Sequence, residues 1–517
     1  MYTHWLICCH SFGYKQYNFL IKQKKFKIIG IAVFWKVLLL IILLNAELSA
    51  QKIGLNVEFE SGYSLSSHSE VPFWQRANHY GARQKTGNKG FISQTSTLRG
   101  YHKNKDFKYE VKTSTLFTIE RNSKFLLTEL NLKLNYKDLC LSLGRSREHY
   151  GLTDSTTSSG SMTNSHNALP IPQIKIGLSQ YKKLLLKILF IKGHFSHGWF
   201  GNQKWASHYY LHQKNISLRL GKDNARFNMY GEIMHNTQWG GKPKYSMAEG
   251  ETRYINGRFP SGWYTYKNVV FPLLNPKKDS TINISAFDYE NRFGNHIGQI
   301  SFGGSLDMAF SRFVVYKELL FETGQTFSSL TNIDDGLYGL SYVSKLTKPY
   351  TKRLSVEYFQ TTNQGMYRPG LLKLFRIKGK HYGRNRNNYY NHNQYLDGWS
   401  YNGSNIGSPF IIPRTELNLL NDTAYSSYMF LYNRVKALYL GAENNFWNMT
   451  FLTKISVSSN FGQRDGSFPD RKQFAGNISC TKEFVKSKSS VILNVGLDRG
   501  DLLPQNLGVQ LAWKKLW

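Results

Sequence analysis

The side chains of this 517-residue chain best suited to chemistry gather between 366 and 401: Arg368, Tyr382, Arg384, Arg386, Tyr389, Tyr390, His392, Trp399 and Tyr401, with Asp397 the one acid among them. Aromatic faces stack on the C–H surfaces of sugars, and guanidinium groups pair with uronate or pyruvate carboxylates. The mixture therefore suits an acidic glycan. A membrane-interface girdle in contact with lipopolysaccharide uses the same residue types, so both readings stand. Catalytic signatures are lacking: there is no G-x-S-x-G, H-E-x-x-H or phosphate-binding glycine loop. His194 and His197 are three apart, which on a strand puts them on opposite faces and argues against a shared metal. No catalytic residue, metal or cofactor is expected. A hydrolase with Ser and His converging inside a sheet remains a rival class.

The elements that would carry these residues are strands. Ile53, Leu55, Val57 and Phe59 alternate with polar or small neighbours, as do Tyr109 to Ile119, Leu354 to Tyr358, and Val491 to Leu497. Two hairpins are legible, one turning at Lys137–Asp138 and one at Lys222 to Asn224. In the second, if Phe227, Met229 and Ile233 face lipid, then Tyr230, Glu232, Asn236 and Gln238 face a lumen. Trp239 falls on the lipid side as an anchor, provided no bulge at Gly231 changes the parity. Short turns alternate with long polar insertions at Thr153 to Asn167, Lys242 to Ile282 and Arg376 to Pro413. The last residues put Leu507, Val509, Leu511, Trp513 and Trp517 on one face. That is the form of a terminal strand that barrel-insertion machinery recognises in an outer membrane. At roughly ten residues per strand plus connections, the chain suits about 16 to 18 transmembrane antiparallel strands in one all-β domain, 51–517.

Residues 1–50 read as a leader. Lys22, Lys24, Lys25 and Lys27 precede an apolar stretch from Ile28 to Leu44, interrupted by Lys36, with a small-residue site at Ala50. The alternative, an uncleaved anchor, has too short an apolar core to span. Net charge is +33, and residues 1–50 hold six Lys and one Glu, leaving +28 beyond them. Such an excess suits nucleic acid, but export points instead to polyanions of the cell surface, namely acidic polysaccharide and lipopolysaccharide phosphates. Cys140 and Cys480 are expected as isolated thiols.

Several runs resemble one family. Gly144-Arg145-Ser146-Arg147-Glu148, the stretch Asn167 to Gly177, His197-Gly198-Trp199-Phe200, Leu211-His212-Gln213-Lys214 and His235 to Gly241 are similar to the Wzi family of capsule assembly proteins. Gly294 to Gly298, Glu357 to Gln364, Gly398 to Tyr401 and Ile406-Gly407 follow in the same order. The resemblance covers roughly Gly144 to Gly441. It implies an outer-membrane barrel of about eighteen strands, with long outer loops and short periplasmic turns, that acts as a lectin and retains capsular polysaccharide or exopolysaccharide at the surface of a Gram-negative cell. In the family a helical N-terminal segment closes the periplasmic side. Here the corresponding short helix is expected at 71–81, with Ser155 to Asn167 as an inward-folded constriction. The polysaccharide-binding candidates are Arg145, Arg147, Gln213, Asn236, Gln238, Arg384, Arg386, Trp399 and Tyr401, in a non-catalytic monomer. A passive porin is the first rival.

Overall fold

The computed structural model describes residues 52–101, 106–120, 123–184, 187–222, 224–247, 252–272, 284–365, 387–418, 428–464 and 468–517. The leader read at 1–50 and the arginines Arg384 and Arg386 lie outside the described residues. Residues 54–99 with the described residues of 107–517 form one compact unit.

The alternating segments form eighteen strands: β1 (Lys52–Ser66), β2 (Lys89–Tyr101), β3 (Phe107–Ile119), β4 (Lys124–Tyr136), β5 (Leu139–Arg145), β6 (Gln173–Leu178), β7 (Leu189–Asn202), β8 (Ala206–Leu220), β9 (Phe227–Trp239), β10 (Asn295–Asp307), β11 (Ser311–Phe321), β12 (Gly336–Ser344), β13 (Thr351–Gln360), β14 (Val435–Phe446), β15 (Met449–Asn460), β16 (Arg471–Phe484), β17 (Ser489–Gly500) and β18 (Asn506–Leu516). Each pairs antiparallel with its predecessor, and β18 pairs with β1, Leu511 opposite Tyr63, so the sheet closes into a barrel without a free edge. One end carries short turns such as 137–138 and 447–448. The other carries the long segments 146–172, 240–294 and 361–434.

The period of two sets the wall. In β18, Leu507, Val509, Leu511 and Trp513 are exposed outward, while Gly508, Gln510 and Ala512 are buried inward. Exposed Phe, Leu, Ile and Val continue this apolar belt around the barrel, a surface matched to hydrocarbon. No helix of the described residues is long and apolar enough to cross a membrane. Cys140 and Cys480 are free thiols.

An eighteen-strand ring is too wide for its own inward side chains to fill. Three segments fold into it from the long-loop end: 67–88, 146–172 and the described parts of 361–434. Their apolar side chains share one core, with Trp74, Met162, Tyr389, Tyr390, Ile411 and Phe430 fully buried. Ser155 to Asn167 lies within this filling, and Gly441 on the inward face of β14 makes room for it. A Cβ there would stand 1.9 Å from the Thr157 carbonyl oxygen.

The structure corrects two expectations. The helix sought at 71–81 is only α1 (Phe73–Arg76), because Asn78, Tyr80 and Gly81 all take positive φ and turn the chain. Trp239 shares the outward parity of Phe227, Met229 and Ile233, and the register through Gly231 is unbroken. Trp239 is nevertheless only 5% exposed. A helix, α2 (Trp263–Val270), lies over it on the outside of the wall, with Val269, Phe293, Tyr210 and Tyr266 completing the contact. Trp239 is thus covered by protein and is no lipid anchor.

Ion pairs tie the inner segments together. Buried Arg76 pairs with Glu416, in the short 3₁₀ turn Arg414–Glu416, and with Glu70 at 3.4 Å; Lys85 reaches the other Glu416 oxygen at 2.6 Å. Burial would raise the Glu416 carboxyl, but Arg76 and Lys85 outweigh it and hold it below the usual range. Glu416→Ala, which takes from buried Arg76 the acid paired most closely with it, should destabilise the folded protein by about 3–5 kcal/mol in denaturant titrations. On the outer face, Leu511→Arg should cost about 2–4 kcal/mol in vesicle-reconstituted protein, since Leu511 sits mid-strand in the apolar belt.

Candidate functional site

The predicted amides stand side by side on the lumenal face. Gln213 on β8 and Asn236 on β9 are opposite in register, and the Gln213 amide donates to Asn236 Oδ1 at 2.8 Å. Asn236 donates onward to the Ile297 carbonyl at 3.2 Å. Gln238 accepts from Asn295 at 2.7 Å and donates to the Gly398 carbonyl at 3.0 Å, seating the hairpin that follows. That hairpin pairs Ser400–Tyr401 with Ser404–Asn405 around an Asn402–Gly403 turn, both with positive φ, the sequence a two-residue turn of this hand prefers.

The aromatic candidates belong to the same hairpin. Trp399 Nε1 donates to the Thr163 carbonyl at 2.8 Å, and Arg145 donates to the Tyr401 hydroxyl at 3.1 Å while its other arm holds the Leu127 carbonyl at 2.7 Å. Arg147 lies apart from these groups: it donates to Ser114 Oγ and Thr128 Oγ1 at 3.0 and 2.7 Å, and its backbone amide meets Glu129. The structure therefore brings together Arg145, Gln213, Asn236, Gln238, Trp399 and Tyr401, all engaged inside the barrel. The cavity beside Gln213 and Trp399 is about 40 Å³. One water needs roughly 10–15 Å³ by this measure, so the space holds a few waters and excludes a sugar ring.

Carboxylates seat the backbone of the inner segments. Glu357 accepts from Ser159 N at 2.9 Å, Glu318 from Met162 N at 2.9 Å and Asp498 from Phe73 N at 2.8 Å. Asp335 accepts from Asn363 N, Gln364 N and the Tyr389 hydroxyl, and Glu322 accepts from Tyr390 N at 2.7 Å. Burial pushes the Glu322 carboxyl up to about 8, with the Tyr390 amide pulling in the opposite sense. His149 and His166 touch through ring nitrogens 3.2 Å apart, and burial, helped by His149, pushes His166 down to about 3, so it is uncharged at neutral pH. His194 and His197 occupy opposite faces: His194 meets Tyr150 inside, His197 meets Trp239 outside. Among the described residues no group of three or more His, Cys, Asp or Glu side chains could hold a metal ion.

Above this filling lies an exposed surface that the sequence reading missed. Gln203, Lys204 and Trp205 connect β7 to β8, with Lys204 5.0 Å over the Trp205 ring. Gln203 exchanges hydrogen bonds with Asn402 at the hairpin tip, accepting from Asn402 N at 2.9 Å. Lys242 pairs beside Ser207, Lys244 N donates to the Trp205 carbonyl at 2.9 Å, and Arg253 donates to the Asn393 carbonyl at 3.1 Å. Buried Asp397 holds Trp205 N and Ala206 N from beneath at 2.9 and 3.2 Å. Cations, a half-exposed indole and amides thus share one rim.

No family model and no curated protein matches the chain. Solved structures do. Wzi of Escherichia coli, an outer-membrane protein involved in group 1 capsule assembly and a carbohydrate-binding β-barrel, matches with a TM-score of 0.53 at 10% identity, over 89% of this chain and 83% of that one. The chain has the outer-membrane β-barrel fold. OccD3 (OpdP) of Pseudomonas aeruginosa also matches, at TM-score 0.42 and 9% identity, over 90% of this chain and 92% of that one.

Glu322 supplies a pH test. Between its ordinary value of 4.5 and about 8 the folded protein holds a proton that the unfolded chain has released. Stability contributed at this seat therefore falls as pH rises across that window and is lowest above it. Relative to intrinsic rates, amide exchange at Tyr390 should quicken from about pH 6 to about pH 9, and Glu322→Gln should flatten that rise.

Proposed function

We propose that this protein is an outer-membrane barrel of the Wzi type, a non-catalytic lectin that holds acidic capsular polysaccharide or exopolysaccharide at the surface of a Gram-negative cell. The observation that carries the reading is the lumen filled by folded-in segments beneath a basic, aromatic rim. A diffusion channel needs an open water path; among the described residues the inner segments bury their aromatic rings against one another, and the cavity beside Gln213 and Trp399 has room for a few waters. The long-loop end faces outward in this reading, because short turns are the periplasmic side of such barrels.

The ligand contacts are then at the rim, where Lys204, Lys242, Lys244 and Arg253 offer charge and Trp205 a stacking face. Arg145, Gln213, Asn236, Gln238, Trp399 and Tyr401 position that rim from below. Each exposed contact to a carboxylate contributes little, about 0–1 kcal/mol. A polymer repeats its charge many times, and effective concentration multiplies weak contacts into retention. Partners implied are the polysaccharide and lipopolysaccharide, with no nucleic acid, and the protein acts as a monomer.

In a deletion strain complemented with the triple variant Lys204→Ala, Lys242→Ala, Lys244→Ala, the ratio of cell-bound to shed polysaccharide should fall toward that of the deletion itself, with barrel assembly intact. In planar bilayers the native protein should conduct little. An unchanged ratio, or large steady conductance, would sink the proposal.

A further inference from the structure

Within the segment 240–294, the described residues 252–272 reach the outside of the wall, where they form α2. Its inner side is fixed: Val269 and Thr265 are buried, and the Tyr266 ring lies 5.2 Å from Trp239 and 6.0 Å from both His197 and His212, outward residues of β7 to β9. Lys214, outward on β8, donates to the Val270 carbonyl at the helix C-terminus, where a cation also suits the helix dipole. The helix is therefore held against the barrel by packing and by a charge-assisted cap.

Its other side is largely exposed and patterned, with one edge of the Trp263 ring near Tyr266 and Lys214 5.8 Å over the Phe271 ring. Trp263, Lys267 and Phe271 follow one another at a spacing of four, which places them in one stripe along the helix and its C-cap, and Trp263 and Phe271 are 77% and 62% exposed. Directly below on the same strands the hydrocarbon belt begins. Ile233 on β9 and Ile216 on β8 form a register pair, and His235 and Lys214, two residues nearer the helix, form the next outward pair. Two residues of strand span about 7 Å, so α2 stands at the upper border of the apolar belt.

From this we infer that α2 is an interfacial anchor whose Trp263–Lys267–Phe271 stripe inserts into the headgroup boundary of the outer leaflet, with Lys267 meeting phosphate. Two aromatic side chains flanking one Lys match what the interface rewards: rings at headgroup level and a cation on an anionic surface. Continuity with the belt names the occupant, because the membrane that surrounds the barrel already reaches this height. Insertion of such a face reaches about 5–10 Å into the boundary. The same segment braces the rim on its other side. In α3 (Ala286–Asn291), Asp288 accepts from Gln394 at 2.9 Å, and the Phe259 ring lies 4.8 Å from Tyr395. The anchor thus sets the rim's height above the lipid, whatever the rim binds.

Full-length protein reconstituted in vesicles of phosphatidylcholine mixed with phosphatidylglycerol, brominated either high or deep in the acyl chain, gives the test. The emission difference between native protein and Trp263→Phe isolates Trp263. It should be quenched more by shallow than by deep bromines, escape aqueous iodide, and lose that quenching in part when Lys267→Glu is added to both proteins. Quenching by iodide with no response to either bromolipid would overturn the inference. Strand content by circular dichroism checks that each variant is folded, and Phe271→Ser gives a second route to the same loss if Trp263→Phe assembles poorly.

Discussion

Irregular backbone inside a barrel has no ladder to join, so each amide it buries needs an acceptor from elsewhere. In this protein carboxylates meet much of that demand. Asp498 receives Phe73, Glu357 receives Ser159, Glu318 receives Met162, Glu322 receives Tyr390 and Asp335 receives Asn363 and Gln364. A carboxyl group brings two acceptor oxygens on a short side chain and at most one hydrogen of its own, whereas an amide brings one oxygen and two hydrogens that must also find acceptors. The packing of the described inner segments, the placement of the hairpin at 400–405 and the shape of the rim all follow from these seats.

The same device bears on the charge of the surface. The chain has 33 acids against 66 Lys and Arg. Several of those acids are committed to the interior, where they hold backbone and balance Arg76 and Arg353. What remains outside is more cationic than the composition alone conveys. A rim carrying Lys204, Lys242 and Lys244 is the local expression of that partition, and screening by salt acts on it while leaving the buried seats almost untouched.

How much of this was legible in the chain depends on the kind of information each feature carries. Parity is written locally: Leu507, Val509, Leu511 and Trp513 share a face because side chains alternate, and no distant residue changes that. Coverage is not local. Trp239 keeps the parity of Ile233, yet its surroundings are set by Tyr266 and Val269 from a segment that reads as a polar insertion. The pairing of Arg145 with Tyr401 spans 256 positions and leaves no spacing to read. The helix expected at 71–81 is cut to Phe73–Arg76 for a local reason that composition hides, since Asn78 and Tyr80 take left-handed conformations that most residues avoid. The contribution of Gln203 to Trp205 was hidden differently: three residues in a short connection acquire a role only because Asn402 and Lys244 arrive beside them.

The long segments therefore do two jobs that pull in opposite directions. Filling the lumen requires that Tyr389, Tyr390 and Trp399 be locked among partners, and a locked side chain is lost to any ligand. Presenting a surface requires exposed groups whose positions do not drift. The hairpin at 400–405 reconciles the two by division along its length. Its base, at Gly398 and Trp399, is bonded to Gln238 and Thr163, while its tip, at Asn402, stands beside Gln203 at the rim. Rigidity is supplied below and exposed polar groups above, so the buried amides set the shape of the rim without forming part of its surface.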